Sequence, residues 1–124
     1  MPGMPQAGDP PLNAATLAEL RAGFGDAADA VMASLVELFL ADAEAALAEM
    51  AGATGATGGT GGDMFARSAH RLKGGAATLG AEPLVALCKE AELYGRAGDL
   101  SGRAPLIEGI RAEVARIRAA LMGS

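Results

Sequence analysis

A chain of 124 residues, 51% apolar and 20% charged, has the size of one globular domain and enough apolar side chains to bury a core. With 3% aromatic residues and no Trp, its packing must rest on Leu, Ile, Val, Met and Ala, the stock of helical bundles, and β-structure is not expected. A formal net charge of -5 speaks against nonspecific nucleic-acid binding, which needs Lys and Arg in surplus on one face, while one cysteine, Cys88, and one histidine exclude an internal disulfide and a multi-His metal site.

The first residues, MPGMPQAGDPPLN, contain no basic segment followed by an apolar run. Later apolar stretches are interrupted by charges such as Asp29, Glu37, Asp42 and Glu44. Neither export nor membrane insertion is expected, and with its lone cysteine the chain suits a reducing, cytoplasmic compartment. Residues 1–11, rich in Pro and Gly, read as a flexible tail, and residues 12–124 as the folded domain.

Asn13 is placed to cap a short helix from Ala14 with Leu17, Leu20 and Phe24 on one side, ending near Gly23 or Gly25. Asp26 is then expected to cap a second helix reaching about Met50. Val31, Leu35, Leu38, Phe39, Ala46 and Met50 form its stripe, widened by Val36, Leu40, Ala43 and Leu47. So wide a stripe serves either two neighbouring helices or a core and a partner, which makes Val36, Leu40 and Ala43 candidate docking residues.

GATGATGGTGG, Gly52 to Gly62, has no helical apolar period and reads as a flexible loop. It lacks the Lys-Ser/Thr ending of a phosphate-binding loop and no strand precedes it, so it is not a nucleotide site. A third helix capped by Asp63 carries Phe65, Ala69, Leu72, Ala76 and Leu79 in a four-three rhythm and stops at Gly80. Glu82-Pro83 starts a fourth, with Leu84, Leu87, Cys88, Ala91 and Tyr94 buried. After the turn Gly95 to Gly102, a fifth follows from about Arg103, with Pro105 in its first turn and Ile107, Ile110, Val114, Ile117 and Leu121 inward. The fold expected is all-α: an antiparallel four-helix bundle with an additional short N-terminal helix as a lid.

SAHRLKGGAATLG, Ser68 to Gly80, holds the lone histidine. At about 100° per residue, His70 lies about 200° from Leu72 and points away from the core seam. Lys73 and Gly74 follow at i+3 and i+4 on its face, Arg67 precedes it by three, and Arg71 is one step around. Such a basic cluster in an acidic chain can offset the charge of a phosphoryl group on the imidazole. Gly74 and Gly75 each cost about 0.8–1.0 kcal/mol relative to Ala inside a helix. Removing their Cβ atoms clears the imidazole for the approach of another protein. The blander alternatives are an indifferent surface histidine on a solvated basic face and a helix that ends at Gly74. The seam running on through Ala76 and Leu79 opposes the second.

AHRLKG, Ala69 to Gly74, followed by LGA, Leu79 to Ala81, resembles the core motif of the histidine-containing phosphotransfer (HPt) domain family. PLVALCKEAE resembles that family's Leu-Cys-x-x-x-Glu stretch, RAGDL the turn after it, and LVELFLADAEAALAEM its second helix. The resemblance runs from about Leu12 to Leu121. It implies that His70 accepts the phosphoryl group, Lys73 is the phosphate-side cation and Gly74 gives clearance. Gly75 stands where many members have Ser, and the Gly/Thr loop replaces a short charged connection.

The implied function is a phosphocarrier without an ATP site, exchanging phosphate with response-regulator receiver domains downstream of a sensor or hybrid histidine kinase. Neutral imidazole is a competent nucleophile near pH 7. No cofactor or metal is expected in this chain, the Mg²⁺ being the receiver's. A helical docking module that binds receivers unphosphorylated is the rival reading, and intact His70 with Lys73 opposes it. A membrane-surface helix lacks the Lys/Arg-rich polar face it would need.

Overall fold

The computed structural model describes residues 9–53 and 60–122. Among these residues five α-helices follow in order: α1 (Ala14–Ala22), α2 (Ala28–Gly52), α3 (Thr60–Thr78), α4 (Glu82–Arg96) and α5 (Arg103–Met122), with a 3-10 turn at Gly25–Ala27 before α2. The tail expected at residues 1–11 lies, for its first eight residues, outside the described residues, as does most of the expected Gly/Thr loop.

Asn13 caps α1 as its sequence position suggests, in extended backbone with its side-chain oxygen accepting from the Thr16 N–H at 3.0 Å. The same residue stitches α1 to the α3–α4 turn. Its backbone N–H donates to the Gly80 carbonyl at 2.8 Å and its amide to Glu82 Oε2 at 3.1 Å. Leu12, Leu17 and Leu20 are only partly buried against the core, so α1 is a lid rather than a bundle member.

Asp26 does not cap α2. It sits inside the 3-10 turn, where its side chain makes no capping bond, and α2 starts behind it at Ala28. Asp63 likewise lies in the first turn of α3 rather than ahead of it, because α3 begins at Thr60. Three residues assigned to the Gly/Thr loop, Thr60 to Gly62, are thus helical. Their helix is held by a neighbour that local propensity does not report: a Cβ on Gly62 would stand 2.4 Å from the Gly95 carbonyl oxygen, and one on Gly95 would stand 2.7 Å from the Gly62 oxygen and 2.8 Å from the Ala66 nitrogen. Bare backbones meet here, and only glycine permits it.

α3 and α4 make the tightest pair of the bundle, joined by a short turn in which Gly80 adopts φ +70. Ala81 N–H reaches back to the Ala76 carbonyl and Gly80 N–H to that of Ala77, satisfying the last carbonyls of α3. Phe65, Leu72, Leu79, Leu84, Met50, Ile110 and Ile117 are fully buried, each contributing about 1.5–3 kcal/mol of transfer free energy. The seams foreseen for α3 and α5 are those observed. Two residues depart from expectation: Leu38 on α2 is 62% exposed and Tyr94 on α4 is 43% exposed, because each lies just off the arc its helix presents to its neighbours.

Candidate functional site

Because Phe65, Ala69, Leu72 and Ala76 turn one face of α3 inward, His70 is carried outward, and its side chain is 64% exposed. The ring is nevertheless held. Nδ1 lies 3.0 Å from Oε2 of Glu92 on α4, a carboxylate that is 8% exposed. An ionised carboxylate can only accept, so Nδ1 carries the proton and donates, and the lone pair of a neutral ring is left on Nε2, on the exposed side. A carboxylate that orients an imidazole through its second nitrogen fixes both tautomer and direction.

Glu92 gathers three nitrogen-bearing side chains. Besides His70, Lys73 pairs with its Oε1 and Arg96, one turn further along α4, donates to Oε2 at 3.0 Å. Burial raises the Glu92 carboxyl, but its bonds and charge pairing with Lys73 and His70 outweigh burial and hold it below the ordinary carboxylate range. Glu92 therefore stays ionised near neutral pH, which the assignment of the Nδ1 proton requires.

Beside His70 opens a cleft lined by Asp63, Ala66, Arg67, Arg71 and Arg96. Three guanidinium groups around one imidazole suit a multiply charged anion such as a phosphoryl group. Arg71 is meanwhile braced from α2, donating to Glu49 Oε1 at 2.8 Å, and the buried Ser68 hydroxyl donates to the same oxygen at 2.9 Å. Those two bonds, Ser68 first, lower the Glu49 carboxyl.

Of the residues singled out from sequence, His70, Arg67 and Arg71 share this cleft, and Lys73, a quarter exposed, lies behind it on Glu92. Gly74 is exposed, and a Cβ there would meet nothing within 4 Å. Gly75, also exposed, has a neighbour inside the bundle. A Cβ there would stand 3.2 Å from Cδ1 of Phe39, so its bareness serves the packing of α3 on α2.

One of the docking residues drawn from α2 is corrected. Ala43 is fully buried, since it sits where α2 packs against the core. Val36 and Leu40 are half-buried and open onto a cleft with Leu17, Arg21 and Leu121.

Glu92, the Glu of the Leu-Cys-x-x-x-Glu stretch, and Arg96 carry no site role in the sequence reading. The signal existed: Glu92 falls four residues after Cys88 and eight after Leu84, a charge inside a buried stripe, and a buried charge demands partners. Cys88 offers no second nucleophile. It is buried, and burial first and the nearby Glu92 charge second push its thiol up to about 12. Among the described residues no group of His, Cys, Asp and Glu is arranged to hold a metal, and no helix is long and apolar enough to cross a membrane.

The sequence matches the family model of the Hpt domain over residues 34–120. Among solved structures, the crystal structure of histidine-containing phosphotransfer protein B (HptB) from Pseudomonas aeruginosa PAO1 matches with a TM-score of 0.74 at 33% identity, over 88% of this chain and 89% of that one. No curated protein matches it by sequence.

Proposed function

The chain belongs to the Hpt domain family, whose members act in histidine phosphotransfer within two-component phosphorelays, and from that premise we propose that Nε2 of His70 is the atom that carries the phosphoryl group. The observation that supports this most directly is the bond from Nδ1 to the buried Glu92, which aims the opposite nitrogen outward beside three arginines. Hpt proteins interact with receiver domains and histidine kinases and are phosphocarriers rather than kinases.

In the accepting direction, the Nε2 lone pair attacks the phosphorus of an aspartyl phosphate on a receiver. The N–P bond forms as the acyl O–P bond breaks, and its electron pair returns to the receiver's carboxylate. No proton need move, since Nδ1 already holds its own. Arg67, Arg71 and Arg96 offset the charge on the phosphoryl oxygens, and Lys73, one turn beyond His70, is within reach of the same region. The receiver supplies the aspartate and its Mg²⁺. This chain carries no nucleotide-binding signature in its sequence, and its phosphate comes from its partners.

Incubation with a radiolabelled phospho-receiver tests the reading. Wild-type protein is expected to take up label that resists base and is lost in acid, and His70→Gln protein, with unchanged helicity, to take up none. Undiminished acid-labile label on the His70→Gln protein overturns it. A wild-type protein that binds the receiver but takes no label would leave the docking module as the answer.

A further inference from the structure

The bond between His70 and Glu92 has a second use once the phosphoryl group is in place. We infer that Glu92 is a positioning residue for phosphoryl release: its carboxylate keeps the proton on Nδ1 of phosphorylated His70, so that the ring leaves as neutral imidazole. The inference rests on the reading of His70 as acceptor and concerns the opposite half of the cycle.

The chemistry decides why that proton matters. In release, a carboxylate oxygen of the next receiver forms a bond to phosphorus while the P–Nε2 bond breaks and its electron pair returns to the ring. With a proton on Nδ1 the product is neutral imidazole and the charges balance without any proton transfer. Without it the ring must depart as an imidazolate anion, a far poorer leaving group. Whatever retains the Nδ1 proton sets the upper pH limit of transfer.

Glu92 is built for that task. Its Oε2 is 3.0 Å from Nδ1, it is almost wholly buried, and its carboxyl is held ionised below the ordinary range. A negative charge at this distance favours the protonated ring. Its pull is shared. Lys73 from α3 and Arg96 from α4 bind the same carboxylate, Cys88 beneath it is kept neutral by burial, and Arg67, Arg71 and Asp63 of α3 line the ring's outer side, with Glu49 of α2 engaged by Arg71. Competition from Lys73 and Arg96 places the expected effect at the low end of that for a close opposite charge, about one pH unit, or tenfold in the population of the competent form.

The chain has a single histidine, so imidazole ¹⁵N resonances report His70 without assignment. Wild-type, Glu92→Gln, Glu92→Asp and His70→Gln proteins are loaded with phosphoramidate, a small-molecule phosphoryl donor that bypasses any receiver. The Nδ1 titration of each protein that retains His70 is followed from pH 6 to 9, together with transfer to one unphosphorylated receiver domain, and His70→Gln is the control for uptake. In the Glu92→Gln protein Nδ1 is expected to lose its proton about one pH unit lower than in wild type, and transfer at pH 8 to slow about tenfold. Glu92→Asp, which keeps the charge but draws it back by one methylene, should fall between the two, and it serves as the test should Glu92→Gln not fold. Nδ1 titrations and transfer profiles that coincide with wild type in a folded variant overturn the inference while leaving His70 as acceptor. Label uptake by His70→Gln equal to wild type overturns the acceptor reading itself, and this inference with it.

Discussion

Gly62 and Gly74 occupy the same helix, carry the same intrinsic helix penalty of about 0.8–1.0 kcal/mol, and answer to opposite demands. At Gly62 the space a Cβ would fill is taken by the backbone of Gly95, so the bundle itself requires the glycine. At Gly74 no described atom lies within 4 Å of that space, and nothing among the described residues requires the glycine. A glycine in a helix interior is therefore ambiguous until its surroundings are known: one closes the α3–α4 pair, the other keeps open the face that carries His70.

The contrast breaks most severely at its closed end. Gly95→Ala and Gly62→Ala each drive a methyl group into backbone that cannot yield, and a loss of about 3 kcal/mol or more is expected in urea unfolding. A loss under about 1 kcal/mol would show that the helices separate cheaply and that the contact does not hold them. At the open end the larger effect is on transfer. Gly74→Leu should keep the helical circular dichroism spectrum yet slow acceptance from a receiver about tenfold or more, roughly 1.4 kcal/mol of barrier. Wild-type transfer in that protein would mean the empty space is not where a partner approaches.

The smallest effects sharpen the comparison along the same helix. Gly74→Ala, meeting open space, should raise stability by up to about 1 kcal/mol. Gly75→Ala gains the same helical preference but presses on the Phe39 ring, and an overpacking cost of about 1 kcal/mol should return its net change to near zero. A gain at Gly75 as large as at Gly74 would place Phe39 among side chains that move aside freely.

Which features were legible in the sequence follows from the range over which each is determined. The Asn13 cap, the stop at Gly80 and the Pro83 start depend on a few neighbouring residues, and the structure has each where the sequence puts it. The outward placement of His70 followed from the period of its own helix. Thr60 to Gly62 read as loop in the sequence because their helix depends on Gly95, a partner far along the chain. Ala43 looked like a contact for a partner because a stripe's width does not say which neighbours cover it, and α2 packs against α1, α3 and α5. Glu92 was readable as a charge in a buried stripe, but only α3 shows what it holds.

The stitch from Asn13 to the α3–α4 turn also bears on the order in which the chain assembles. Its side-chain bond to Glu82 joins residues 69 apart, whereas α3 and α4 are linked by a turn of a few residues. Each doubling of a closed loop adds about 0.6 kcal/mol of entropic cost, so the hairpin forms far more readily than the closure that seats α1. The lid is accordingly expected to dock late, after the folding transition state. Stopped-flow measurements on Asn13→Ala should show faster unfolding at an unaltered folding rate, and slowed folding would instead put the lid in the nucleus.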